Sequence, residues 1–195
     1  MRFDTVRGID RLLLVLGVSI LGGLLNALLS AANMAIESPF FFDSIFTAIV
    51  AVLFGPLAGM ATALVSHGFM EFFHDFSGQF MPIVVCNIAT GLIVGLCARS
   101  DSLRSPVGAA LATLLVTLAN AVLGAVVAYY LFGGVTGHAS DYLVTGLIIA
   151  GQSLFSASFW ARVPANLIDK GLAVAAAYLI ARVWITRRDS SAPTA

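Results

Sequence analysis

The sequence predicts an all-α integral membrane protein: six transmembrane helices, with an extra apolar segment, re-entrant or on the outer face, before the last helix. Three observations carry that expectation. Of the 195 residues, 59% are hydrophobic and only 10% are charged, whereas a soluble domain carries about 25% charged residues. Mean hydropathy is +0.99, and several apolar runs reach or approach the ~20 residues that span a bilayer as helix. The longest polar stretch is the tail Thr186–Ala195, so one membrane domain over 1–195 is expected and no soluble one. Net charge is zero, and nothing points to nucleic acid.

Helix 1 is expected over Arg11–Ala32. It follows arginines and has no small-residue cleavage site before a soluble domain, so it reads as an anchor and not a removed signal peptide. The loop "NMAIESPFF" leads to helix 2, Phe42–Phe54, which is short for a crossing. Gly55–Pro56 makes a turn, and helix 3 runs over Leu57–Phe73. Helix 4 covers Met81–Ala98 after "HDFSGQF". Helix 5, Pro106–Phe132, opens on a proline whose missing N–H costs nothing in the first turn. The last helix is expected over Val163–Ile185, and Tyr142–Trp160 is the extra segment. Cys86 and Cys97 share helix 4; eleven residues of helix separate them by about 16 Å, too far for a disulfide.

Basic residues decide orientation. If Tyr142–Trp160 crossed the membrane, Arg182, Arg187 and Arg188 would lie opposite the N-terminal arginines, against the positive-inside rule. With six spans, Arg2, Arg7, Arg11, Arg99, Arg104, Arg182, Arg187 and Arg188 gather on the cytoplasmic side with both termini. Glu37, Asp43, Asp75 and Asp141 gather outside.

Within "RVPANLIDKGLAVAAAYLIARVW", Arg162, Asn166, Asp169 and Lys170 stand at the outer mouth of the last helix. Charges are costly at membrane depth. One reading is an interfacial cap: Asp169 favours the positive helix terminus and Lys170 snorkels. The other is a cavity opening outward, with Asn166 and Lys170, four apart on one face, pointing into it. Asn87, Asn120 and Gln152 are isolated amides in apolar surroundings, and each must find a partner. Together with Asn166 they suit a polar, largely uncharged molecule. Phe40, Phe41, Phe42, Phe72, Phe73, Phe76 and Phe80 crowd the outer side. They form either an interface belt or a stacking surface for a flat heterocycle.

Ser19, Gly23, Ala27 and Ala31 recur at every fourth position of helix 1, a stripe that lets a helix approach closely. Its partner is either within this chain or another subunit. Beside it, Asn26, Ser30 and Asn33 form a polar stripe expected to face the interior. His67, Glu71 and His74 fall on one face of helix 3, a set of residue types that can bind a transition metal. They span about 10 Å of helix axis, too far for one ion to reach all three. No nucleophile–base pair and no Gly-rich phosphate loop is present. The chain is expected to be no enzyme, to need no cofactor and not to hydrolyse ATP by itself.

The stretches "FFFDSIFTAIVAVLFGPLAGMATALVSH" and "VPANLIDKGLAVAAAYLIA" resemble the substrate-binding S components of energy-coupling factor (ECF) transporters, and the resemblance covers Arg11–Arg188. It implies six helices and capture of a vitamin or micronutrient outside a bacterial cytoplasmic membrane. Release inward would then be driven by a transmembrane T component and two ATPases. It implies that Gly23, Ala27 and Ala31, with Ser19 in line, meet the T component, and that Glu37–Phe42 lids the site. The expected site lies between helices 1, 4, 5 and 6 and the first loop. Glu37, Asn87, Asn120, Gln152, Asn166 and Lys170 would hydrogen-bond the ligand, and Phe42 or Phe73 would lie against its ring. The cobalt and nickel members use an N-terminal histidine segment that "MRFDTV" lacks. A membrane-embedded sensory module and an intramembrane metalloprotein built on His67, Glu71 and His74 are the alternatives; the sensor would be expected to carry an output domain.

Overall fold

The computed structural model describes residues 8–189, and the side chains of residues 8–183. The expected cytoplasmic residues Arg2 and Arg7, and the side chains of Arg187 and Arg188, lie outside the described residues. The chain is all-helical: α1 Gly8–Ala35, α2 Ile45–Phe54, α3 Pro56–Phe73, α4 Val84–Arg99, a 3₁₀ turn Ser102–Arg104, α5 Pro106–Phe132, α6 Asp141–Ile149 and α7 Leu154–Asp189. By length and composition α1, α5 and Leu154–Val183 suffice to cross a membrane, while α2 and α4 are shorter apolar helices.

Local chemistry explains most boundaries. Ser105 caps α5, its side chain accepting from Gly108 N, and Pro106 follows in the first turn. α2 starts at Ile45, not Phe42, because Phe42 has φ +48° and residues 42–44 belong to the loop. Gly55, at φ +98°, turns the chain between α2 and α3. A side chain there would also strike Arg99 Nη2 at 2.7 Å.

The segment before the last helix differs from expectation. Residues 142–160 are not one element. The chain breaks at Gly151, which has φ +91°. α6 before it has nine residues, about 13 Å of helix. After it α7 starts at Leu154, not Val163, and runs unbroken through Pro164. The apolar residues of α6 and of the first turns of α7 pack together through Val144, Ala157 and Ala161, and that contact makes the short helix worth forming.

α2 is the hub of the bundle, touching α1, α3, α4 and α7. Lipid tails are as apolar as Leu, so close backbone approach and hydrogen bonding drive association here, more than burial from water. A Cβ on Gly91 would lie 2.6 Å from Gly59 C, and one on Gly95 would lie 2.5 Å from Pro56 Cα. The α3–α4 contact is thus backbone against backbone. The stripe of α1 is spent the same way: a Cβ on Gly23 would lie 2.9 Å from Ser66 N, and Ser19 Oγ donates to Ala58 O at 3.4 Å. Ala27 is fully buried and Ala31 half-buried. Ser19, Gly23 and Ala27 are buried within the chain in this arrangement, Ser19 and Gly23 against α3. Leucines such as Leu12, Leu13, Leu16 and Leu21 take the outward face.

Replacing Gly91 and Gly95 by Ala is expected to destabilise the bundle by about 1–3 kcal/mol per site, the scale of overpacking. Thermal unfolding in detergent checks this. An unchanged midpoint would show that α3 and α4 have room to part.

Candidate functional site

One end of the bundle, formed by the loops 36–44, 74–83 and 133–140, is built around buried polar groups. The central one is Lys170. Its Nζ lies 2.7 Å from Asp43 Oδ1, 2.6 Å from Asp169 Oδ2 and 2.9 Å from Ser44 Oγ, and the side chain is 2% exposed. The Asp169 contact is ionic rather than a well-aligned hydrogen bond. Asp169 Oδ1 accepts from Phe42 N at 2.8 Å. The ammonium, with three protons to give, donates to Asp43 and Ser44 and is paired in charge with Asp169.

This triad pins the first loop to α7, and other polar groups hold the remaining loops. Asn33 Nδ2 donates to Phe40 O, and His138 Nε2 donates to the same oxygen at 3.2 Å. His138 Nδ1 accepts from Ser140 N at 3.2 Å. Burial holds the His138 imidazole below its usual pKa, only partly offset by Phe40 O and Asp141, so the neutral tautomer these bonds require is the form at pH 7. Asp141 gathers Thr136 N, Thr136 Oγ1 and Gly137 N at 2.8–2.9 Å. Glu71 does the same for the second loop: Oε1 accepts from Phe80 N and Met81 N at 2.7 and 2.8 Å, and Oε2 from Gly78 N at 2.9 Å.

Between these loops and the helices lies a cavity of about 90 Å³, with walls from α1, α3, α4, α5, α7 and all three loops. At about 10–15 Å³ of such space per water, it has room for several water molecules or a small polar group. Several wall groups keep polar capacity unused by the protein. His67 Nδ1 meets Ala63 O at 3.2 Å, so Nε2 is left as an acceptor. Asn120 spends both amide hydrogens, on Thr90 Oγ1 and Val116 O, leaving its carbonyl oxygen. Asn166 donates only to Arg162 O. Phe41, stacked on His138 with ring centroids 4.6 Å apart, adds a flat apolar surface.

Of the residues expected from sequence, Asn120, Asn166 and Lys170 line this cavity. Glu37 lines a neighbouring groove of about 390 Å³ with Tyr142 and Asp141. Phe42 is half-buried beside the triad and Phe73 is 38% exposed on the outside of α3; neither lines the cavity. Asn87 Nδ2 donates to Asp43 O at 2.8 Å and supports the first loop. Gln152 accepts from Ser156 Oγ within its own turn. Phe41, expected as part of a stacking surface and of the lid, also lines the cavity, and His67, His138 and Arg162 are cavity residues not expected among the ligand contacts. The arginine had a signal: Gly124 stands opposite it, where a Cβ would lie 3.1 Å from Arg162 Cδ.

His67, Glu71 and His74 do not form a metal centre. Both Glu71 oxygens are taken by backbone N–H groups, and His74 Nδ1 pairs with Met70 O at 2.9 Å. Among the described residues no three His, Cys, Asp or Glu side chains are placed to hold a metal ion. Cys86 and Cys97 are free thiols.

A helical membrane protein with a polar cavity roofed by loops at one end is the architecture of a ligand-binding component. The chain belongs to the family described as ECF transporter, substrate-specific component, whose model matches residues 12–181. No curated protein and no solved structure matches it. Members of this family bind substrate for transport and are not enzymes.

Replacing Lys170 by Met would leave two buried carboxylates without their counter-ion. Breaking such a pair costs about 3–5 kcal/mol, so a strongly lowered unfolding midpoint in detergent is expected. Adding Asp43→Asn should restore part of it. If Lys170→Met unfolds like the parent chain, the triad does not hold the loop.

Proposed function

We propose that this chain captures a small water-soluble vitamin or related micronutrient from the outer side of a bacterial cytoplasmic membrane, as the S component of an ECF-type ABC transporter. A transmembrane T component and two ATPase subunits would supply the release step, for which the chain has no phosphate-binding loop of its own. The observation that carries this reading is the cavity. Asn120 and Asn166 are 2% and 3% exposed, yet each keeps hydrogen-bonding capacity that no other described residue uses. Buried polar groups are normally satisfied, so groups left open around a void suit an arriving molecule. Phe41 and Phe80 offer ring contacts.

Orientation follows from charge. Arg11, Arg99, Arg104 and Arg182 stand towards the end of the bundle opposite the cavity. The positive-inside rule then puts that end in the cytoplasm and the cavity outside. In this reading α1–α5 and α7 are the six spans, both termini are cytoplasmic, and α6 lies at the outer face.

Denaturing the purified chain should release a small molecule detectable by mass spectrometry. Asn166→Leu, which fills the cavity with an apolar group, should reduce its amount at least about tenfold, the loss expected from one good buried hydrogen bond. Vesicles should accumulate that molecule only with the T component and both ATPases present. Equal release from the variant, or ATPase-independent uptake, would sink the proposal.

A further inference from the structure

Arg162 is the cavity residue whose chemistry the protein leaves least satisfied. It is 5% exposed. A guanidinium stays protonated in proteins and carries five N–H donors. Here Nη1 donates to Ser158 O at 2.9 Å, and no other hydrogen bond and no ion pair is made to it among the described residues. Asp141 is the acid whose field reaches it, but the oxygens of Asp141 are held by Thr136 and Gly137. Lys170, eight residues on in the same helix, is the opposite case, since two carboxylates and a hydroxyl saturate it. Two buried cations line one cavity. One is neutralised by the chain and the other is left open to the void.

An uncompensated buried charge is costly, and an arginine fork matches the two oxygens of a carboxylate or phosphate in a bidentate pair. Gly124 makes room for it: a Cβ there would stand 3.1 Å from Arg162 Cδ and 3.2 Å from Nε. Across the cavity, His67 Nε2 and the Asn120 carbonyl oxygen are acceptors and Phe41 offers a ring face. We infer that the molecule this cavity takes is a small organic acid, its oxyanion group held by Arg162 and its ring against Phe41. This rests on the substrate-binding reading above and narrows it. It also revises the expectation of a polar, largely uncharged ligand, which comes from the isolated amides.

The test uses the purified full chain in detergent, titrated with benzoate, with its neutral isostere benzamide and with inorganic phosphate. Ionic strength is matched, and binding is read from the shift in unfolding midpoint. Benzoate is expected to bind about tenfold more tightly than benzamide, the scale of one charge-assisted hydrogen bond. That preference should vanish in Arg162→Gln and shrink in Arg162→Lys, which keeps the charge and loses the fork. Gly124→Ala, which crowds the guanidinium without removing it, should weaken benzoate and leave benzamide unchanged, and it serves if Arg162→Gln does not fold. Phosphate displacing benzoate in an Arg162-dependent way would assign a phosphate-bearing ligand; benzoate alone would assign a carboxylate. Benzamide binding as well as benzoate, or benzoate binding unaffected by Arg162→Gln, overturns the acid assignment and leaves the cavity as a binding site. If no probe shifts the midpoint, the acid assignment falls. If, in addition, purified protein releases no small molecule, the substrate-binding reading falls with it.

Discussion

The contact on which the rest depends is the ammonium of Lys170 held between Asp43, Asp169 and Ser44. Each partner alone would be untenable at this depth, because an isolated buried ion loses its hydration and gets nothing back. Together they recover that loss, but only if residues 42–44 come to α7. The triad therefore converts a desolvation problem into a positional constraint. Once Asp43 is fixed, Phe42 N meets Asp169, Asn87 reaches Asp43 O from α4, and α2 begins where it must to sit among four neighbours. A loop that sequence alone leaves free is thereby tied to two helices.

That constraint acts alongside a second one, the near-absence of side chains between α3 and α4. Gly59, Gly91 and Gly95 bring two backbones together, which draws this side of the bundle tight. The opposite side, between α5 and α7, packs alanines and valines such as Ala112, Val116, Ala173 and Val174 deep in the bundle. Toward the cavity the same two helices present Asn120, Gly124, Arg162 and Asn166. The cavity opens where filler changes from apolar to polar. It is a consequence of which residues face inward at that level and not a gap in otherwise uniform packing.

Most of the helices were legible because apolar length and punctuation suffice for them. Pro106 and Ser105 fix the start of α5, and Gly133, with φ +60°, fixes its end. Residues 142–160 were misread because both sides of Gly151 are apolar, so hydropathy carries no mark of the break. Pro164 stands inside α7 with its ring on the exposed side, and the helix runs through it despite the lost ladder bond and the crowding of the carbonyl one turn back. For the site, sequence could say which side chains need partners but not where the partners are. Asn87, Asn120, Asn166 and Gln152 look alike as isolated amides. Only tertiary placement shows that Asn87 braces a loop, that Gln152 serves its own turn, and that the other two face a void. The stripe of α1 is ambiguous for the same reason, since small residues permit a close approach without naming the helix that makes it.

Two kinds of hydrogen bond hold the roof of the cavity, and they differ in what water can replace. Phe40 O accepts from Asn33 and His138 near the outer rim. Water can replace the bond from His138, whose ring is half-buried, because exchanging protein for water partners is nearly neutral; Asn33 is itself buried and keeps its bond away from solvent. The triad at residues 43, 169 and 170 is almost dry, and there no such exchange is available. The two anchorages are three residues apart in the chain, with Phe42 between them in a left-handed conformation. The first loop is thus fixed at its inner end by buried charges, while at its outer end the His138 bond alone is replaceable by water. Its phenylalanine ring at position 41, stacked on a neutral His138, belongs to the outer end. A roof built this way keeps its register on the bundle because the charges that set it are buried and paired with one another.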